Sequence, residues 1–258
     1  MSASPLFDLS GETALVTGAS SGLGRRFASV LAAHGARVVV LARRKERLDA
    51  LVLEIEQKGG KALAIAADIG DRPGITAAFD RAEAAFGKVS ILVNNAGVAH
   101  PSPFLAMDEK AWRGTLDVNL DAVIFTAQEA ARRMVDTGGG SIINIASILS
   151  LGVQKGNLAY AVSKAAVTQA TRAMALELAF KGVRVNAIAP GFFTTEMTGD
   201  FLSTPLGKGM LRAIPMGRFG AEGELDGALL LLASRAGSFM TGATIVVDGG
   251  HALAIPDR

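Results

Sequence analysis

Tyr160 and Lys164 stand four positions apart within 157–180, a stretch that reads as a helix, so both side chains leave the same face. A free phenol titrates at about 10, too high for an efficient base near neutrality, and an ammonium one turn away favours the phenolate. The pair therefore suits proton transfer to or from an oxygen, with Tyr160 as general acid/base. A partly buried helix tyrosine beside a solvated lysine is the bland alternative. Ser147 weighs against it, because it follows the apolar run 141–146, where a hydroxyl could hold an oxygen as charge develops on it. Taken alone, Ser147 is an ordinary turn or N-cap serine.

A second group of residues has the chemistry of an anion cradle. Thr17-Gly18-Ala19-Ser20-Ser21-Gly22-Leu23-Gly24 runs from an apolar segment into a helical one. Glycines let the backbone approach a pyrophosphate, and the helix N-terminus supplies unpaired N–H groups and positive dipole. The spacing GxxxGxG departs from the commoner GxGxxG, and tight turn geometry alone is the competing explanation. Asn119 lies inside the helical stretch 109–135, where asparagine is a poor helix former whose amide competes for backbone groups. An exposed helix asparagine is the simpler account of it.

The elements that must carry these residues are legible as a rhythm. Short Val- and Ile-rich runs occur at 13–17, 37–41, 62–66, 91–94, 141–146, 184–189 and 244–247, with amphipathic stretches such as 25–33, 45–58 and 72–86 between them. Continuous rather than alternating apolarity suits strands buried on both faces. Alternation of strand and helix predicts an α/β fold, a doubly wound parallel sheet with helices on both faces. No repeat or linker divides residues 1–258, so one domain is expected, with 194–215, which breaks the rhythm, as a lid over the site.

Composition excludes several functions. Half of the residues are hydrophobic and 19% charged, enough to bury a large sheet and too little charge for disorder. Net charge is +2 with Lys and Arg scattered, which argues against nucleic acid. With no cysteine and with His34, His100 and His251 far apart, no metal site is expected. The start MSASPLFDLSGE lacks signal-peptide features and no apolar run is long enough for a membrane span, so a cytoplasmic protein is expected.

From about Leu9 to Gly250 the chain resembles the classical short-chain dehydrogenase/reductase family, whose motifs recur here in family order. They are the glycine turn, Asn94-Asn95-Ala96-Gly97, Asn119, Ser147, Tyr160-Ala161-Val162-Ser163-Lys164, Pro190-Gly191 with Thr195, and Val247-Asp248-Gly249-Gly250. The resemblance implies a single-domain Rossmann-type fold and hydride transfer between a nicotinamide cofactor and a small alcohol or carbonyl substrate. It makes Asn119, Ser147, Tyr160 and Lys164 catalytic, with Asn119 supporting a helix irregularity and a water-linked proton path to the lysine. It assigns cofactor contacts to Gly18, Ser20, Ser21, Gly22, Leu23, Gly24, Asn95, Ala96, Gly97, Tyr160, Lys164, Pro190 and Gly191. Thr195 would hold the nicotinamide carboxamide, and Asp68, with Ile69 beside it, would meet the adenine. A turn-forming carboxylate is the alternative for Asp68.

After the second strand the chain reads Ala42-Arg43-Arg44 where an acidic residue would grip the ribose of NAD. Guanidinium groups bind a 2'-phosphate, so NADP(H) is expected to be preferred, with NAD(H) possible. Substrate contacts are expected from Ser147, Leu149, Gln154, Asn157, Tyr160 and Phe193, in a mainly apolar pocket with polar anchors. Two rivals stand beside a reductase or dehydrogenase of small free metabolites. One is a 3-oxoacyl-carrier-protein reductase; the turn Val135-Asp136-Thr137-Gly138-Gly139-Gly140 lacks the basic residues such an enzyme uses for docking, and Lys181 is a partial match. The other is a noncatalytic redox sensor on the same fold. Extra apolar surface on the Tyr160 helix, with the resemblance, implies a homotetramer.

Overall fold

Val38, Val39 and Val40 are all fully buried although successive strand residues point to opposite faces, which is possible only when both faces of the sheet are covered. The computed structural model, which describes residues 5–194 and 204–253, shows how. Seven parallel strands form the main sheet: β1 (Thr13–Thr17), β2 (Arg37–Ala42), β3 (Lys61–Ala66), β4 (Ile91–Asn94), β5 (Gly140–Ile145), β6 (Val183–Pro190) and, after two short strands, β9 (Thr244–Val247). Their order is β3-β2-β1-β4-β5-β6-β9. The short strands β7 (Phe193–Thr194) and β8 (Gly220–Ala221) pair with each other apart from the main sheet.

On one face Phe27 and Leu31 of α1 (Gly22–Ala33), Leu48, Leu51 and Ile55 of α2 (Lys45–Gln57) and Leu229 and Leu232 of α8 (Asp226–Ala233) form a core with Val38 and Val40. On the other, Ile75 and Phe79 of α3 (Arg72–Phe86) and Ala127, Ala130 and Met134 of α5 (Ala122–Asp136) pack on Leu15, Val39 and Leu92. The architecture is the expected doubly wound, single-domain Rossmann-type fold. The chain leaves β1 toward β3 and returns to β4 on the other side, so the order of strand addition reverses between β1 and β4 while all strands stay parallel. Ligands bind at that switch point, outside the carboxyl ends of the strands.

Two local outcomes add to the sequence reading. The helix expected over 109–135 is broken into α4 (Glu109–Leu116), a π-helical turn (Asp117–Asp121) and α5, and Asn119 sits in the π-helical turn. The stretch 194–215, expected as a lid, contains α7 (Pro205–Ala213), started by Thr204, whose hydroxyl accepts from Gly207 N at 3.1 Å. The rest of the candidate site rides on α6 (Leu158–Leu178).

Candidate active site

Thr17, the last residue of β1, holds the switch point together. Its Oγ1 accepts from both Asn95 N and Ala96 N at 3.0 Å, and Asn95 Nδ2 returns a bond to Thr17 O at 3.0 Å. The glycine turn that follows is built around close approach. Gly18 has φ +67°, and a Cβ there would lie 2.8 Å from Ala96 Cα; a Cβ on Gly24 would lie 2.5 Å from Gly18 O. Ser21 is the N-cap of α1 and makes no side-chain capping bond, which leaves the first N–H groups of the helix open to an anion. Gly22 opens the helix, and Leu23 packs back on the core.

Beside this turn lies a cavity of about 220 Å³, lined by Gly18, Ser20, Leu41, Ala42, Arg43, Arg44, Ala67, Asp68, Ile69, Ala96, Gly97, Val98 and Val118. Arg44 is the N-cap residue of α2, and its guanidinium reaches the turn: Nη2 is 2.8 Å from both Ser20 Oγ and Ser21 Oγ. Lys45 is paired instead with Asp49. The cavity thus carries two arginines and the Ser20 hydroxyl, with Ser21 Oγ on the same guanidinium, a donor set that fits a phosphate, and Ala42 adds no carboxylate to repel one. At the other end Asp68 spends Oδ1 on Gly70 N at 2.9 Å, the turn-forming bond that was its alternative reading, while still lining the cavity. The donor set and the glycine cradle fit a phosphorylated dinucleotide. Leu41, Ala67, Val98 and Val118 join this lining without any motif to announce them.

Ser147, Asn119, Tyr160 and Lys164 converge at the carboxyl edge of β4 and β5. Ser147 Oγ accepts from Leu149 N at 3.1 Å, so the hydroxyl proton is available, and it serves a hydrogen bond with Tyr160. Lys164 is buried, and its Nζ donates to Ile145 O at 2.7 Å, at the end of the strand that leads to Ser147. Asn119 is fully buried; its Oδ1 accepts from Val98 N and its Nδ2 donates to Val98 O, both at 2.8 Å, with Ser163 Oγ at 3.2 Å. Satisfying both backbone groups of Val98 accounts for a polar residue here and accompanies the π-helical turn. Gly97 lies between these groups: a Cβ on it would be 3.3 Å from Asn119 Oδ1 and 3.6 Å from Lys164 Nζ.

The electrostatics correct one expectation. Lys164 does not by itself draw Tyr160 toward the phenolate. Burial pushes the phenol up, and the Ser147 hydrogen bond opposes this only in part. Burial also draws Lys164 down to about 8. The reason is geometric, since the ammonium is anchored on Ile145 and sits 5.6 Å from the centre of the tyrosine ring.

The expected substrate residues divide. Leu149 is half-buried after Ser147, and Asn157 Nδ2 donates to Gln154 Oε1 at 2.9 Å just before α6. Phe193 is 7% exposed with its ring against Gly220 and lines a cavity together with Phe192, Met216 and Val247, while Phe192 meets Phe219 and His251. Pro190 ends β6 and Gly191 N donates to Val247 O at 2.9 Å. Thr195 lies outside the described residues. Sequence reasoning missed Thr17 and the buried chain Asn94 Nδ2 to Asn144 Oδ1 and Asn144 Nδ2 to Thr171 Oγ1, which ties β4, β5 and α6 together. Asn94 was visible only as part of a motif, and Thr171 gave no signal. Among the described residues there is no cluster able to hold a metal ion.

A family model described as enoyl-(acyl carrier protein) reductase matches residues 18–252. The galactitol 2-dehydrogenase (L-tagatose-forming) of Cereibacter sphaeroides is 42% identical over 253 residues, 96% of this chain and 98% of that protein. The 3-oxoacyl-[acyl-carrier-protein] reductase of Staphylococcus aureus is 39% identical over 240 residues, 93% of this chain and 97% of that one. The crystal structure of a gluconate 5-dehydrogenase from Burkholderia cenocepacia, in complex with NADP and tartrate, superposes with a TM-score of 0.92 at 36% identity, covering 97% of this chain and 98% of that chain.

Proposed function

The chain belongs to the classical short-chain dehydrogenase/reductase family, and from there we propose that it is an NADP(H)-dependent oxidoreductase acting on a small, free alcohol or carbonyl compound. The observation that carries the proposal is the Tyr160 hydroxyl hydrogen-bonded to Ser147 at the strand end, with Lys164 one helical turn away and a phosphate-fitting cavity beside them. When bound, the nicotinamide accepts or supplies the hydride. In oxidation Tyr160 takes the proton of the substrate hydroxyl; in reduction it returns one to the carbonyl oxygen. Ser147 donates to the same oxygen. Lys164, its ammonium anchored on Ile145 O one turn from the phenol, would hold the nicotinamide ribose.

Ser20, Ser21, Arg43 and Arg44 would hold the 2'-phosphate, the open N-terminus of α1 the pyrophosphate, Asp68 and Ile69 the adenine, and Thr195 the carboxamide. The NADP in the Burkholderia gluconate 5-dehydrogenase and in a 2-deoxy-d-gluconate 3-dehydrogenase of Agrobacterium tumefaciens described as putative supports this choice. NAD(H) is the second cofactor. Residues 194–215 act as the lid of a domain that runs over 1–258. No helix among the described residues is long and apolar enough to cross a membrane, and we place the protein in the cytoplasm. Exposed Val162 and Leu176 on α6, with Phe180, Phe239 and Val246, support assembly into a homotetramer.

A 3-oxoacyl-carrier-protein reductase ranks second: the relative from Staphylococcus aureus supports it, and the turn at 135–140, with Asp136 and no cation, weighs against docking of an acidic carrier. A panel of alcohols, ketones and a 3-oxoacyl thioester, assayed with both cofactors at the nicotinamide absorbance, tests the proposal. Turnover of free alcohols with NADP+ supports it; turnover of the thioester alone replaces it with the rival. Cofactor binding without turnover of anything would revive the redox sensor.

A further inference from the structure

Two loops leave the strand ends on either side of the Tyr160–Lys164 pair: the one after β4, which carries Gly97 and His100, and the one after β5, which carries Gln154 and Asn157. They are joined by Ser102 N donating to Gly156 O at 2.8 Å. Each offers polar groups of fixed direction. His100 Nδ1 is 3.2 Å from Thr115 Oγ1, and Thr115 gives its one hydroxyl proton to Ala111 O at 2.9 Å. Toward the imidazole Thr115 can therefore only accept, so Nδ1 carries the hydrogen and Nε2 of the neutral ring is an acceptor. Thr115 is fully buried, which fixes the ring from below. On the other loop, the bond from Asn157 Nδ2 to Gln154 Oε1 leaves Gln154 Nε2 as a donor and Asn157 Oδ1 as an acceptor. Asn157 lies just ahead of Tyr160, its carbonyl accepting from Ala161 N.

Resting on the dehydrogenase reading above, we propose that His100, Gln154 and Asn157 read the hydroxyl groups of a neutral polyol or its ketose, at carbons beyond the one that reacts. The set offers acceptors at His100 Nε2 and Asn157 Oδ1, donors at the Gln154 amide and the second N–H of Asn157, and carries no charge when His100 is neutral. A hydroxyl both donates and accepts, so neighbouring hydroxyls can satisfy all three. A carboxylate only accepts, so it can pair with the amide N–H groups but leaves His100 Nε2 and Asn157 Oδ1 without a donor. An acyl chain satisfies none and leaves each group unpaired on desolvation. His100 is thus a specificity-determining residue.

The test is kcat/KM with NADP+ for a hexitol, the matching aldonate, a 3-hydroxyacyl thioester and propan-2-ol, in wild type, His100→Ala, His100→Gln and Gln154→Ala. Wild type should prefer the hexitol. His100→Ala and Gln154→Ala should each lower the hexitol to propan-2-ol ratio by roughly 2- to 12-fold, the worth of one neutral hydrogen bond. His100→Gln, which keeps an acceptor, should recover part of the loss. A ratio unchanged in both alanine variants, or a wild type that prefers the aldonate or the thioester, overturns the inference while leaving the dehydrogenase in place. Failure to oxidise any alcohol with either cofactor overturns both.

Discussion

Lys164→Met should make the protein more stable at neutral pH relative to wild type than it is at high pH, although it removes a residue the mechanism needs. The lysine is 3% exposed and burial lowers its pKa from 10.5 to about 8. Between those values the unfolded chain holds a proton that the folded protein does not, so the wild type gains stability as pH rises through this window. At pH 7 the folded protein carries nearly the full penalty of the buried charge, about 3 kcal/mol for a pKa lowered from 10.5 to about 8. At pH 10 only about 1 kcal/mol of it remains. Methionine has similar bulk and no charge, but it forfeits the 2.7 Å bond to Ile145 O, which costs about 1 to 3 kcal/mol at every pH. The unfolding free energy of the variant minus that of wild type should therefore fall by about 2 kcal/mol from pH 7 to pH 10. Chemical denaturation of both proteins at pH 7, 8, 9 and 10 measures it, and taking the difference cancels the other titrating groups. A difference that stays flat refutes the claim that the ammonium is held in a desolvating site.

Tyr160→Phe should bind NADP+ as wild type does and lose about 10² to 10⁴ in kcat, since only the ionisable oxygen is removed; more than half the rate remaining in single-turnover assays would exclude the tyrosine. Arg44→Ala should weaken NADPH relative to NADH by about 10- to 150-fold, and more than Arg43→Ala, because Arg44 is the guanidinium already aligned with Ser20 and Ser21. Adding Ala42→Asp should move preference toward NADH, read as the ratio of kcat/KM for the two cofactors at one ionic strength. Gly18→Ala should cost on the order of 1 to 3 kcal/mol in thermal denaturation and weaken cofactor binding, because φ is +67° and the added Cβ would meet Ala96 Cα at 2.8 Å.

The sheet was legible because burial on both faces leaves no alternation to obscure a strand: runs such as Val38-Val39-Val40 and Ile142-Ile143 mark their strands to within a residue. Tyr160, Lys164 and Ser147 were legible because their pairing depends on local spacing and on a strand end. Interactions that close only in three dimensions were not. The misfit of asparagine in a helix and the family resemblance pointed to an irregularity at Asn119, but nothing in the sequence says that its amide is spent on Val98 or that the irregularity is a π-helical turn. Thr17 looks like any strand threonine until β4 comes to lie beside it. Sequence alone did not reveal which of two adjacent phenylalanines lies deeper: Phe193 packs against Gly220, and Phe192 meets Phe219 and His251. The sign of the Tyr160 shift was misread because a charge four residues away was weighed and the desolvation of both groups was not.

The central claim is that this chain moves a hydride between a carbinol carbon and NADP. It is tested most directly by incubating the protein with NADP+ and alcohols deuterated at the carbinol carbon, hexitol and propan-2-ol among them, and weighing the nicotinamide product by mass spectrometry. The account predicts one deuterium in the reduced cofactor with the wild type, and at least a hundredfold less in the same time with Tyr160→Phe. Reduced cofactor without deuterium, or none formed from any alcohol while NADP+ demonstrably binds, would contradict it.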